Sequence, residues 1–254
     1  MTDFPKGAAI VFGATGGIGR VVSLELARAG SDVAIMWRSK EDVAKDLAAE
    51  IKALGRQASL HHCDVLIEGA SKSAIAAAAK THDRVHTLVW GAGPLVEQVF
   101  MADTTREQWH RAVNVEVHGF FDAAQVAIAH MRREGGSIIH LGSAGDLSWP
   151  DKDVLSVAPK AANESLIKAI AREEGKNNIR ANSVLIGVIE AGMFLELSKQ
   201  GVFDEEWTAD VQKNLALKRW GQPEEVGHAV VYLASNKAAY VTGQQIAVAG
   251  GYGL

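Results

Sequence analysis

A glycine-rich turn near the N-terminus constrains the fold of this chain more than any other feature. The apolar run AAIVFG leads into Ala14-Thr15-Gly16-Gly17-Ile18-Gly19, and an amphipathic stretch follows at once. Such a turn needs glycine for positive φ, and the helix N-terminus beyond it offers unpaired N–H groups and a positive dipole end. The pattern predicts a pyrophosphate-binding turn, with a ligand-free glycine turn as the alternative. The residues predicted to contact the ligand are Gly13, Thr15, Gly16, Gly17, Ile18 and Gly19.

The rest of the chain repeats the same strand-then-helix unit. Short apolar or β-branched runs alternate with longer helical stretches, and these runs are DVAIMW, QASLHH, VHTLVW, SIIHLG and IRANSVLI. Alternation of this kind is typical of a parallel sheet covered by helices. We therefore predict an α/β single-domain Rossmann fold over residues 1–254, with a doubly wound, mostly parallel sheet and helices on both faces. Ligands bind beyond the carboxyl ends of the strands in such folds.

Composition narrows the classes of function. Hydrophobic residues make up 48% and charged residues 22% of the chain, so a sizeable core can form. The formal charge of -4 argues against general affinity for nucleic acid or anionic lipid. A lone cysteine, Cys63, cannot form an internal disulfide, and neither a signal-peptide pattern nor an apolar run of about 18 residues is present. We expect a cytoplasmic protein with a small-molecule substrate and no membrane or nucleic-acid partner.

The end of the second strand indicates which dinucleotide is bound. An acidic residue there would accept a hydrogen bond from the ribose 2′-OH of NAD, but the run ends Trp37-Arg38-Ser39-Lys40. Arg38 can pair with a 2′-phosphate, and Ser39 adds a hydroxyl. The sequence therefore favours NADP(H), with NAD(H) not excluded.

The chain resembles the short-chain dehydrogenase/reductase family over almost its whole length. Gly13, Gly17 and Gly19 match the family's glycine turn, Asp64-Val65 match its adenine-holding pair, and Gly91-Ala92-Gly93 match the end of its Asn-Asn-Ala-Gly motif, here Trp90-Gly91-Ala92-Gly93. RANSVLIG resembles the family segment that usually ends Pro-Gly, with Ile186 in place of the proline. The cofactor contacts that the resemblance adds are Asp64, Val65, Gly91, Ala92, Gly93, Lys160, Gly187 and Val188.

The resemblance also implies catalytic positions. Asn114 matches an asparagine that supports a proton-relay water, Ser143 falls on the catalytic serine, and Lys160 falls on the catalytic lysine. In the family that lysine also contacts the nicotinamide ribose. Members of the family commonly form tetramers, so we expect a homo-oligomer, either a tetramer or a dimer.

The family's tyrosine is missing from its expected place. It should stand four residues before Lys160, where this chain has Ser156, and the three tyrosines are Tyr232, Tyr240 and Tyr252. A serine hydroxyl is far less acidic than a phenol and shorter by a ring, although a water could fill the gap. Pro159 fits a helix only if that helix is just starting there.

Three explanations remain open: reduction of an enoyl thioester, which needs no acid at this position; reduction of a carbonyl by a substituted acid; or a dinucleotide-binding protein without turnover. Candidate acids are Glu116, Asp146, Asp151 and Asp153. Retention of Asn114, Ser143 and Lys160 favours an enzyme.

An apolar segment at about 190–217 lies where the family places its substrate lid. Together with Trp90 and Trp149 at strand ends, it indicates a bulky or acyl-type apolar substrate, although packing of the lid onto the core explains it equally well. His61-His62-Cys63-Asp64 cannot converge as metal ligands, because neighbouring side chains on a strand point to opposite faces. We expect no catalytic metal.

Overall fold

The computed structural model of this protein describes residues 3–254. Within that range seven parallel strands form one sheet in the order β3-β2-β1-β4-β5-β6-β7. The strands are β1 (Ala8–Phe12), β2 (Asp32–Trp37), β3 (Ala58–His62), β4 (Val85–Trp90), β5 (Gly136–Ser143), β6 (Ile179–Ile186) and β7 (Gln245–Val248). The fold class predicted from the sequence is confirmed, and every registered strand pair is parallel.

Helices connect the strands. They are α1 (Gly17–Arg28), α2 (Glu41–Ala53), α3 (Ala70–Thr81), α4 (Arg106–Val113), α5 (Gly119–Met131), α6 (Val154–Glu174), α7 (Met193–Lys199), α8 (Glu205–Lys213) and α9 (Pro223–Ala234). A π-helical turn, Asn114–His118, joins α4 to α5.

The core lies in two layers, one on each face of the sheet. Residues of α1, α2 and α9, such as Leu26, Leu47 and Val230, pack on one face. Residues of α3, α5 and α6, such as Ile75 and Phe120, pack on the other. Both central strands, β1 and β4, are buried along their whole length, as expected for a sheet covered on both sides.

Two local expectations were wrong in detail. The sequence predicts a third helix from about Ile67 to Lys80, but the helix begins at Ala70, because Gly69 before it adopts φ +77°. The helix that contains Pro159 begins at Val154, so the proline lies inside α6 instead of at its start. Because proline has no N–H, it removes one backbone hydrogen bond from the second turn of α6.

Strand order reverses between β1 and β4, and this reversal positions the crevice. From β1 the chain adds β2 and β3 on one side of the sheet. From β4 it adds β5, β6 and β7 on the other side. The loops that follow the two strands therefore diverge and leave an opening at their carboxyl ends. Gly91 N donates to Phe12 O at 3.1 Å, which joins the two strand ends at the base of that opening.

Among the helices formed by residues 3–254, none combines the length and apolar character that crossing a bilayer requires.

Candidate active site at the carboxyl ends of the strands

The glycine turn after β1 has little room for side chains. Gly13 adopts φ +76°, and a Cβ there would overlap the carbonyl oxygen of Gly91. A Cβ on Gly19 would overlap the carbonyl oxygen of Gly13. Gly16 N donates to Gly13 O at 2.9 Å and closes the turn. These glycines are required by backbone packing as well as by any ligand.

The N-terminus of α1 has the chemistry of an anion site. Its N-cap is Gly16, which has no side chain to bond the free N–H groups, and its first turn, Gly17 to Arg20, contains no carboxylate. Arg20 N is the first to bond within the helix, to Gly16 O at 3.0 Å. The turn therefore fits a dinucleotide pyrophosphate. Gly192 packs close enough to exclude a Cβ on Gly17.

The ribose end of the crevice is formed by β2 and β3. Arg38 and Ser39 are exposed directly after β2. The Trp37 ring lies edge-on to His62, with ring centroids 4.8 Å apart. Asp64 Oδ1 accepts from Leu66 N at 3.0 Å, so its carboxylate shapes the loop after β3. A free guanidinium with no acidic neighbour in the run Trp37 to Lys40 suits a phosphate better than a hydroxyl.

Trp90 belongs to the core and not to a substrate pocket. It is fully buried, and its ring packs between Phe12 and Phe120, with centroids 5.0 and 5.8 Å away. Its Nε1 has no hydrogen-bond partner among residues 3–254. Trp90 therefore gives no support to a bulky substrate, which corrects the interpretation from sequence, whereas Trp149 is 56% exposed.

Two loops beside the glycine turn carry further predicted cofactor contacts. Gly91, Ala92 and Gly93 follow β4 directly, with Gly93 exposed. At the end of β6, Gly187 N donates to Val248 O at 3.0 Å, and Val188 O accepts from Gly221 N at 3.0 Å. These loops line one edge of the sheet, where the cofactor contacts are predicted.

Ser143 and Lys160 come from neighbouring elements. Ser143 ends β5, is half-buried, and accepts from Gly145 N at 3.1 Å. Lys160 and Ser156 lie on α6 with i, i+4 spacing and share one face of the helix. Ser156 is 9% exposed. Their roles in turnover stay predictions, as does that of Ser143.

A buried carboxylate contacts the lysine. Glu116 is 3% exposed, and its Oε1 lies 2.6 Å from Lys160 Nζ. A Cβ on Gly93 would overlap that oxygen and would lie 3.9 Å from Lys160 Nζ. Asn114, the predicted partner of the site, is exposed. The structure thus brings Glu116 to Lys160, and the role of Asn114 stays a prediction.

The π-helical turn explains this placement. One extra residue in the turn Asn114–His118 shifts the register between α4 and α5, and such turns occur often at functional sites. Val115 and Glu116 face inward while Asn114 and His118 are exposed. The sequence signal was present, because Glu116 is the single carboxylate in the run VNVEVHGFF.

A buried polar chain continues from Glu116 to the last strand. Asn163 Nδ2 donates to Glu116 O at 2.9 Å and lies 3.3 Å from His140 Nε2. His140 Nδ1 lies 2.7 Å from Glu164 Oε1, and Gln245 Nε2 donates to Glu164 Oε2 at 3.0 Å. Burial raises the pKa of Glu164, but the bonds from His140 and Gln245 outweigh it and hold the pKa below its ordinary value. Sequence analysis did not find this network.

The other candidate acids differ in environment. Asp146 and Asp151 are exposed. Asp153 is half-buried at the start of α6, and its Oδ1 accepts from Gln98 Nε2 at 3.2 Å. Burial raises the pKa of Asp153, against the opposing effects of the Gln98 bond and the Lys160 charge.

Residues 190–217 carry α7 and α8 and an aromatic cluster. The Phe203 and Trp207 rings stack with centroids 4.0 Å apart, and Phe194 and Trp220 pack against them. These rings pack mainly on one another. Within residues 3–254, no group of three or more His, Cys, Asp or Glu side chains is arranged to hold a metal ion.

The glycine turn, the helix N-terminus and the crevice at the reversal of strand order define a dinucleotide-binding protein of the Rossmann type. The family model described as enoyl-(acyl carrier protein) reductase matches residues 13–253. The chain belongs to the short-chain dehydrogenase/reductase family, whose members bind a nicotinamide dinucleotide.

Similar proteins span the full length of the chain. An L-rhamnose 1-dehydrogenase (NAD(P)(+)) from Sphingomonas sp. (strain SKA58) is 34% identical, covering 95% of this chain and 94% of its own. The 3-oxoacyl-[acyl-carrier-protein] reductase FabG of Aggregatibacter actinomycetemcomitans is 32% identical, covering 95% and 97%. The structure of a blue fluorescent protein from a metagenomic library in complex with NADPH is 29% identical, with a TM-score of 0.89 and full coverage of both chains. These named relatives support an oxidoreductase.

Proposed function

We propose that this protein is an NADP(H)-dependent oxidoreductase. It transfers hydride to or from a carbonyl, or an activated double bond of the enoyl type, in a small apolar substrate. One observation carries this proposal: the Lys160 ammonium is held by the buried Glu116 carboxylate at the mouth of the crevice, beside Gly93. Burying a charged pair costs several kcal/mol in desolvation. Retention of Asn114 and Ser143 together with this pair favours turnover over dinucleotide binding alone.

Different residues of this chain bind the cofactor, orient it and contact the substrate. The α1 N-terminus binds the pyrophosphate, and Arg38 and Ser39 bind the 2′-phosphate. Lys160 contacts the nicotinamide ribose and orients it, and Ser143 donates a hydrogen bond to the substrate oxygen. When bound, the dinucleotide supplies or accepts the hydride. Preference for NADP(H) rests on the exposed Arg38 and the absence of an acidic residue from the end of β2.

The second candidate function is dinucleotide binding without turnover, as in a sensor or scaffold. Ser156 favours it, because a short hydroxyl replaces the phenol that most of the family uses as the acid. Serine is a far weaker acid than tyrosine, whose ordinary pKa is about 10.

The two candidates are separated by measuring NADPH oxidation with a panel of ketones and enoyl thioesters. The native protein, Ser156→Tyr and Lys160→Met are compared, and NADPH binding is measured by fluorescence. Turnover by the native protein supports the oxidoreductase, and the preferred substrate class names the chemistry. Binding without turnover, with activity only in Ser156→Tyr, supports the binding protein instead.

We also propose that the protein forms a homo-oligomer, a dimer or a tetramer. Trp109 on α4 and Phe121 on α5 are 38% and 49% exposed, and large exposed apolar side chains on neighbouring helices favour association. Light scattering after size-exclusion chromatography tests this, and a monomer at micromolar concentration would contradict it.

A further inference from the structure

We infer that Asp153 is the proton donor of this site, taking the part that Ser156 cannot. The inference rests on the proposed function and adds the catalytic acid to it. It depends on the position of Asp153 on α6, on its contact with the loop after β4, and on the exclusion of the other acidic groups.

Asp153 shares a helix face with the residues of the site. It is the N-cap of α6, and Asp153, Ser156 and Lys160 follow i, i+3, i+7 spacing. Ser156 N and Val157 N donate to Asp153 O at 3.1 and 2.9 Å, which fixes its backbone to the first turn. A side chain at this position is one turn nearer the helix start than Ser156. Because of this spacing, the Asp153 and Lys160 side chains leave α6 on the same side of the helix.

The carboxyl of Asp153 is turned toward the loop after β4. Within the described residues it makes no capping bond to α6, and its Oδ1 accepts from Gln98 Nε2 at 3.2 Å. The backbones of Asp153 and Val99 also form a parallel bridge. This contact holds Asp153 against the loop that begins with Gly91 and Gly93, which is the predicted nicotinamide side of the crevice.

The other candidate proton donors are either bonded to another group or exposed to solvent. Glu116 accepts a hydrogen bond from Lys160 Nζ at 2.6 Å, so its carboxyl group is already engaged. Asp146 and Asp151 are exposed. The phenol of Tyr252 donates to Ser148 O at 2.7 Å and so is already bonded. Asp153 is the remaining candidate acid, and it is half-buried, whereas Asp146 and Asp151 are exposed.

The charges that face Asp153 suit an acid. Burial raises the pKa of Asp153, and the Gln98 bond and the Lys160 charge oppose that rise. Glu116 neutralises much of the Lys160 charge, because the two groups form an ion pair at 2.6 Å. Burial raises the pKa of the Tyr252 phenol, and its hydrogen bond to Ser148 opposes that rise. Lys152, the neighbouring residue, lies over the Phe100 ring at 5.1 Å.

The proton balance is simple. As hydride from the reduced dinucleotide reaches the carbonyl carbon, the O–H bond of Asp153 breaks and its proton passes to the carbonyl oxygen. The products are an alcohol, the oxidised dinucleotide and the Asp153 carboxylate, which is reprotonated by hydronium or a buffer acid before the next turnover. For an enoyl thioester the same proton goes to the carbon next to the thioester carbonyl.

The first test substitutes the acid. Asp153→Asn should lower kcat for reduction by about 10²- to 10⁴-fold and leave the Kd of NADPH within threefold of native. Asp103→Asn, an exposed control on the neighbouring loop, should keep native rates. Adding Ser156→Tyr to Asp153→Asn should restore reduction, because a phenol returns. In the native protein, kcat for reduction should fall as the pH rises through the pKa of Asp153.

A second test needs no turnover. Carboxyl carbon NMR of the native protein with NADP⁺ bound should give Asp153 a pKa above the ordinary value of about 3.9. An ordinary or lowered value, or native kcat in Asp153→Asn, overturns this inference and leaves the proposed function standing. If the native protein binds NADPH but reduces no substrate, the proposed function fails, and the role of Asp153 fails with it.

Discussion

Lys160 Nζ lies 2.6 Å from Glu116 Oε1, and the two residues are held there by different elements, α6 and the π-helical turn after α4. Glu116 is almost completely buried, while the Lys160 side chain is 17% exposed toward the crevice. The ion pair therefore fixes the Lys160 ammonium against a buried carboxylate, while part of the lysine side chain stays exposed.

Glu116→Gln should destabilise the fold and weaken the site together. The amide keeps the size of the side chain but leaves the Lys160 ammonium without its counter-charge. Breaking a buried ion pair costs 3–5 kcal/mol, and the partial exposure of Lys160 places the expected loss of unfolding free energy at about 3 kcal/mol. Urea denaturation measures it.

Glu107→Gln, an exposed change on α4, is the control and should change stability by less than about 0.5 kcal/mol. A double-mutant cycle with Lys160→Met isolates the pair. A coupling free energy near zero would show that Glu116 does not stabilise Lys160.

Arg38→Ala should change cofactor preference and not stability. Arg38 is exposed after β2 and, under the proposed function, donates charge-assisted hydrogen bonds to the 2′-phosphate. Loss of such bonds costs about 1.5–3 kcal/mol, so the Kd of NADPH should rise roughly ten- to hundredfold while that of NADH stays constant. Titration calorimetry with both dinucleotides measures this ratio. Arg133→Ala, another exposed arginine, should alter neither value, and an equal loss for NADH and NADPH would contradict the role of Arg38.

His86 should make the protein acid-sensitive. It is 2% exposed, and burial lowers its pKa from 6.5 to about 4. The unfolded chain takes up a proton near pH 6.5 while the folded chain does not. Stability from this residue is therefore complete above pH 6.5 and is lost as the pH falls toward 4, by about 3 kcal/mol in all. Thermal unfolding between pH 7 and 4 should show a shallower pH dependence in His86→Gln than in the native protein, and no such change in the exposed control His130→Gln.

Glu164→Ala should cost about 3–5 kcal/mol, because it leaves His140 buried without its carboxylate partner. Both side chains are almost inaccessible, at 4% and 0% exposure. The expected loss is seen by denaturant unfolding, with Glu173→Ala, an exposed change on the same helix, as the control. Replacing both residues by apolar ones of similar size should restore much of the loss. A Glu164→Ala protein as stable as the control variant would show that the network contributes nothing.

The fold could be predicted from the sequence because its signals are local and repeated. Most positions of the buried strands β1 and β4 are apolar or β-branched, and the turn from Gly13 to Gly19 identifies the first βα unit. Helix boundaries were less certain. Gly69 adopts a positive φ, so α3 begins only at Ala70. Pro159 lies inside α6, which continues on both sides of it.

The site was harder to predict because it depends on helix register. Resemblance to the family placed Asn114 in the site, and that role stays a prediction. The π-helical turn that begins at Asn114 orients Glu116 inward, which no sequence pattern indicates. The environment of Asp153 depends on Gln98, 55 positions away, and no local pattern indicates that contact. The buried state of Trp90 likewise depends on Phe12 and Phe120, which come from other elements.

The position of β1 also affects how the chain can be made. β1 lies between β2 and β4, so one of its hydrogen-bonding edges has no partner until residues 85–90 have left the ribosome. At ordinary elongation rates, roughly ten seconds separate the synthesis of the two strands. During that interval a wholly apolar strand edge is open to pairing with other chains. Nascent chains of this protein should therefore need chaperone protection until β4 emerges, and translation pauses between residues 12 and 85 should increase aggregation.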